Sequence, residues 1–118
     1  MKVLVFCEQR NGHVKASSFE ALAAAHKLHG DAEVAACVIG KADVSELGKK
    51  GAKQVFSLTS STLEHYNPMS YTDALTKVVD IFSADVILGL ATPMGRDLFS
   101  RLAARKHGGL LTDLTSLG

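Results

Sequence analysis

Apolar positions in this chain fall into compact blocks separated by polar, turn-forming stretches. The run VLVFC within Lys2 to Cys7 is apolar throughout and rich in β-formers, the pattern of a strand covered on both faces. The segment EQRNGHV that follows is polar and turn-like. Ser17 with Glu20 has the spacing of a capping box and predicts a helix start there. Phe19, Leu22, Ala23 and His26 then recur on one helical face, with Gly30 as a C-terminal stop.

The same alternation continues. Ala32 to Gly40 predicts a second strand, and Asp43 with Glu46 predicts a cap ahead of a short helix ending near Gly51. Ala52 to Thr59 reads as a third strand, followed by a Ser/Thr-rich loop. Ser70 with Asp73 predicts the next helix cap, with Ala74, Leu75, Val78, Val79 and Phe82 as its apolar stripe. Asp85 to Leu90 is the fourth strand. A helix after Gly95 carries Leu98, Leu102 and Ala103 and runs out at Gly108-Gly109, ahead of a fifth strand in LLTDLTSL.

Strands alternating with helices imply a single α/β domain with a doubly wound, mostly parallel, Rossmann-like sheet. In such sheets the strand order reverses beside the first strand, with the fourth on its other side. The loops EQRNGHV and ATPMG then flank one crevice at the carboxyl edge, where ligands bind in these folds.

Composition narrows the function. A formal charge of +1 and a small aromatic fraction without Trp give no reason to expect nucleic acid or an anionic membrane surface. No apolar run approaches a membrane span, and the opening run is too short for a signal peptide, so a cytoplasmic location is expected. Cys7 and Cys37 both fall in apolar runs and read as buried thiols rather than a metal or redox pair.

The crevice loops carry the candidate chemistry. Gly95 opens a helix whose N–H groups and dipole favour an anion, and the Arg96 guanidinium can fork a phosphate or carboxylate. Neither phosphate fingerprint is present, and Asp97 is expected in the first helical turn, where it repels an anion. An ion pair or cap involving Arg96 and Asp97 at an interface is therefore favoured. Glu8, Arg10 and His13 occupy the first loop; a base built from Glu8 and His13 lacks a nucleophile, and solvated loop residues are the favoured reading. His26 and His29 stand one turn apart without a third metal ligand. Arg101 and Arg105, with Arg96, form a basic stripe that suits an acidic partner.

The stretch ATPMGRDLFSRLAARKHGGLLTDLTSL resembles a segment of the electron-transfer flavoprotein alpha subunit, through Gly95, Arg96, Asp97, Leu98, Arg101, Leu102, Ala103, Ala104, Thr112 and Asp113. VLVFCE, ALAAAHKL and GAKQVFSL agree more loosely but in register. Ser100 stands where the family commonly has Pro. The resemblance implies the N-terminal domain, of the adenine nucleotide alpha hydrolase-like kind, over residues 1–118. It implies a non-catalytic scaffold that packs against the beta subunit, with Gly95, Arg96, Asp97, Arg101 and Asp113 as a structural or partner-facing corner. FAD is implied for the family's flavin domain, which this chain lacks, and AMP for the beta subunit; no cofactor is expected on this chain alone. The alternative is a free-standing adenine-nucleotide (AMP or ATP) module with Thr92, Gly95 and Arg96 at the phosphates. A small hydrolase using Glu8 or His13 has little support. A chain ending at Gly118 is further expected to leave a sheet edge uncovered, favouring self-association or dependence on a partner.

Overall fold

The computed structural model describes residues 1–28, 30–107 and 109–115. Five parallel strands form the central sheet: β1 (Lys2–Cys7), β4 (Glu33–Ile39), β5 (Gln54–Leu58), β6 (Val86–Leu90) and β7 (Leu111–Thr115). Their spatial order is β5-β4-β1-β6-β7, so the reversal beside the first strand is present as expected. The three inner strands are the most apolar, and nearly every residue in them is buried. Consecutive side chains alternate between two core layers. Leu4, Phe6, Cys37 and Ile87 face one side, covered by α3 (Pro68–Phe82) and α4 (Pro93–Lys106). Val3, Val5, Val38 and Leu88 face the other, beside α1 (Ala16–Leu28) and α2 (Ser45–Lys49).

Gly89 lies in β6 where any Cβ would stand 2.7 Å from the Phe99 ring. Its absent side chain lets Phe99 reach the sheet and meet Phe6 edge-on, with centroids 6.4 Å apart. This contact seats α4 against the strand that precedes it.

Several local expectations are corrected. EQRNGHV is not only a turn: β2 (Gln9–Arg10) and β3 (His13–Val14) form a small hairpin about Asn11-Gly12. Both turn residues have positive φ, +53° and +84°, the conformation that an Asn-Gly pair adopts at least cost. The helices also start earlier than the Ser17, Ser70 and Gly95 readings placed them. α3 is capped by Asn67, whose Oδ1 accepts from the Ser70 N–H, and α4 by Thr92, whose Oγ1 accepts from the Gly95 N–H. In each the next residue is proline, whose fixed φ suits the first helical position and whose missing N–H costs nothing there. Asp43 does accept from the Ser45 N–H, one residue nearer the α2 start than a capping box requires. In α1 the buried face is Ser18, Ala21, Leu22 and Ala25, while Ala23 and His26 are exposed. An alanine-rich helix leaves its apolar face ambiguous in sequence, and close approach to the sheet selects the small residues. His29, Gly108 and the end of the fifth strand lie outside the described residues.

Candidate functional site

The carboxyl ends of β1 and β6 lie side by side, and the loops after them meet as expected. Glu8 leaves β1 there. Its backbone N–H donates to Ser18 Oγ at 2.9 Å, tying the strand end to the buried face of α1. Its side chain is only 4% exposed, contrary to the solvated reading, and both carboxylate oxygens are engaged. Lys15 Nζ donates to Oε1 at 3.0 Å, and Thr92 Oγ1 donates to Oε2 at 2.5 Å. The cation from the start of α1 compensates a charge that would be costly if buried alone.

Thr92 works in two directions. Its hydroxyl gives its proton to Glu8 and accepts the Gly95 N–H at 3.0 Å. A chain of hydrogen bonds thus runs from the α4 N-terminus through Thr92 to the buried carboxylate and on to Lys15. The negative end of this chain sits where a helix dipole favours an anion. Gly95 is required for the geometry: a Cβ there would lie 2.1 Å from the Leu90 carbonyl oxygen. The first turn of α4 is pressed onto the end of β6. A cavity of about 200 Å³ remains beside this lock, lined by Phe6, Cys7, Glu8, Gln9, Tyr66 and Met94 among others.

Of the candidate phosphate set, Thr92 and Gly95 are brought together and Arg96 is not. Arg96 is exposed and lines a separate groove of about 300 Å³ between α4 and β7, with Phe99, Thr112 and Leu114. Asp97 lies in the second helical turn, not the first, and its partner is not Arg96. It accepts from Tyr66 Oη at 2.5 Å and from Arg101 Nε at 3.2 Å. The Tyr66 hydrogen bond, then the Arg101 one, hold the Asp97 carboxyl below its ordinary pKa. Burial, reinforced by the Asp97 bond, pushes the Tyr66 phenol up.

The expected basic stripe is largely consumed within the domain. Arg101 pairs with Asp97, Arg105 with Asp73 at 2.5 Å, and Lys106 with Asp80 at 2.5 Å, fastening α4 to α3. Asp113 is exposed on β7, beside Leu88 in register. Arg10 and His13 face each other across the hairpin; His13 also bridges to Asp43, and no hydrogen bond joins it to Glu8 among the described residues. His26 donates through Nε2 to the Gly51 carbonyl at 2.8 Å, a structural bond rather than a metal ligand. Cys7 and Cys37 are both buried free thiols. The buried Glu8 is the residue that sequence reasoning undervalued. Its one local signal is its place directly after a fully apolar strand.

No helix among the described residues is long and apolar enough to cross a membrane. Comparison with known proteins agrees with the geometry. The fold is shared with a deacetylase of teicoplanin biosynthesis, at a TM-score of 0.60 over 99% of this chain and 68% of the other, with 10% identity. In sequence, the chain is 38% identical over 112 residues to the electron transfer flavoprotein subunit alpha of Syntrophomonas wolfei, covering 92% of this chain and 35% of that protein. It is 34% identical over 115 residues to the same subunit of Bacillus subtilis, covering 95% and 35%. A third relative is the acryloyl-CoA reductase electron transfer subunit beta of Anaerotignum propionicum, 36% identical over 98% of this chain and 33% of its own. The chain thus spans about a third of the length of these relatives. The family model for the electron transfer flavoprotein domain matches residues 3–118. The chain belongs to the electron transfer flavoprotein family, and within it resembles the alpha subunits.

Proposed function

We propose that this domain is a non-catalytic scaffold of an electron transfer flavoprotein alpha subunit, binding a beta subunit in the cytoplasm. On this reading the flavin is carried by another domain and AMP by the beta subunit, and electrons pass from dehydrogenases without a reaction on this chain. The observation that carries it is the lock Lys15–Glu8–Thr92–Gly95, which occupies the crevice that a ligand of this fold would enter. An incoming phosphate would meet a buried carboxylate at the helix N-terminus and repulsion at close range. The crevice cavity of about 200 Å³ also falls below the roughly 300 Å³ of ordinary ligand sites, which supports a crevice without a nucleotide.

On this reading the partner surface is the corner of α4 and β7. Gly95 sets the helix against β6, and the Asp97–Arg101 pair stiffens its outer face. Arg96 and Asp113 project from that corner without an ion-pair partner among the described residues. Charges of both signs there favour selection of a partner and its register over raw affinity.

Calorimetry with AMP, ADP and ATP is expected to give no binding, and co-expression with the beta subunit of the same genome is expected to give a stable complex. That complex should weaken in Arg96→Glu. Micromolar affinity for any of these nucleotides would overturn the proposal and favour the nucleotide module.

A further inference from the structure

The outer face of α3 carries a row that is complementary to itself. Met69, Asp73, Lys77 and Ile81 stand four residues apart along one helical ridge, and all four are exposed. Met69 is 68% and Ile81 74% exposed, two of the four large hydrophobic side chains left in solvent among the described residues. Lys77 has no ion-pair partner among the described residues, and Asp73 keeps 58% of its side chain exposed while bonded to Arg105.

Turn this row about a two-fold axis at the level of position 75. Met69 then faces Ile81 of the copy, Asp73 faces Lys77, and each pairing is repeated on the other side of the axis. One centre satisfies both the apolar and the charged pairs. A parallel arrangement in register sets Asp73 against Asp73 and Lys77 against Lys77, and an antiparallel one moved by one step of the row brings one of those like-charged pairs together. Beside the ridge runs a groove of about 550 Å³ toward the β5 edge, lined by Thr59, Ser70, Asp73, Ala74, Lys77 and Ile81 among others. Two helices whose rows of residues four apart interdigitate cross at an interaxial angle of about −50°.

We propose that α3 is a two-fold interface between two copies of this chain, closed by Met69–Ile81 contacts at its ends and Asp73–Lys77 ion pairs at its centre. The interface is isologous, so it closes as a dimer and does not propagate. It lies on a different helix from the partner-facing α4–β7 corner and does not depend on the functional reading above.

Sedimentation velocity of the chain from low to high micromolar concentration tests this. The expected result is a concentration-dependent dimer, weakened by about tenfold or more in Lys77→Asp and in Ile81→Asp. Lys77→Asp and Asp73→Lys chains, each monomeric alone, should form a mixed dimer, because their charges are complementary across the same axis. Circular dichroism checks that each variant is folded. Because Asp73→Lys also removes the Arg105 partner, a second measurement is independent of it. Met69→Cys chains mixed with Ile81→Cys chains should give a disulfide-linked dimer under mild oxidation, and neither should cross-link alone. A wild-type monomer at high micromolar concentration would overturn the proposal. So would a dimer indifferent to Lys77→Asp and Ile81→Asp, or cysteine cross-linking that ignores the 69–81 pairing.

Discussion

Thr92 Oγ1 donates to Glu8 Oε2 across 84 residues of chain, and the same hydroxyl caps α4 through the Gly95 N–H. One side chain therefore joins the carboxyl ends of β1 and β6 and completes a helix. Removing either partner exposes the other to an unsatisfied position. Glu8→Ala leaves Thr92 and Lys15 without their acceptor and is expected to destabilise the domain by about 3 kcal/mol. Thr92→Val, which loses a helix cap as well, is expected to cost about 1–2 kcal/mol. Denaturant unfolding of both singles and the double variant should show strong non-additivity. Additive losses would mean that the two groups act separately.

Two glycines in helices predict opposite responses to alanine. At Gly95 the new methyl would collide with the Leu90 carbonyl, so α4 must shift off β6, at a cost of about 2–3 kcal/mol. At Gly48 in α2 a Cβ meets nothing within 4 Å, so Gly48→Ala is expected to stabilise by up to about 1 kcal/mol. Thermal melts of the two variants provide the check.

The Tyr66–Asp97 bond links stability to pH at both ends of the scale. Asp97 has its pKa lowered on folding, so its contribution is present above the carboxyl's unfolded value of about 3.9 and is lost as pH falls through the folded value. Tyr66 has its pKa raised, so its contribution is present below the phenol's unfolded value of about 10 and is lost as pH rises through the folded value. Tyr66→Phe is expected to flatten the acid limb of the stability profile and to abolish the bond's share of the alkaline one. Burial pushes up the Tyr71 phenol as well. Absorbance titration at alkaline pH should therefore show no tyrosinate in the native protein near the ordinary phenol pKa.

Burial pushes the Cys7 thiol up to about 12, and burial followed by the nearby Cys7 raises Cys37 further. Thiolate is the reactive form, so at pH 8 only about one Cys7 in ten thousand is competent to react. A thiol reagent such as Ellman's is expected to label neither cysteine until denaturant is added. Rapid labelling of the folded chain would reveal local opening of β1 or β4.

The order of elements was legible from sequence because it rests on local chemistry. VLVFC and VILGL carry the pattern of strands covered on both faces, whereas Asn67-Pro68, Thr92-Pro93 and Asn11-Gly12 mark two helix starts and a hairpin that the Ser70, Gly95 and turn readings misplaced. Those three dipeptides were the better guides to helix starts and the hairpin, since a cap followed by proline outweighs a Ser/Asp spacing further along. The Gly-Arg-Asp-Leu segment likewise pointed to the family without reference to contacts. The tertiary structure alone decided which polar groups are available. Glu8, written in a polar loop, is buried because strand order sets Thr92 beside it and α1 supplies Lys15. Asp97 turns from Arg96 to Tyr66 because successive helical residues point about 100° apart. Arg105 and Lys106 belong to α3 as much as to α4, since Asp73 and Asp80 approach them only when the two helices pack on one face of the sheet. Such long-range pairings depend on the closed fold, and no window of sequence contains them.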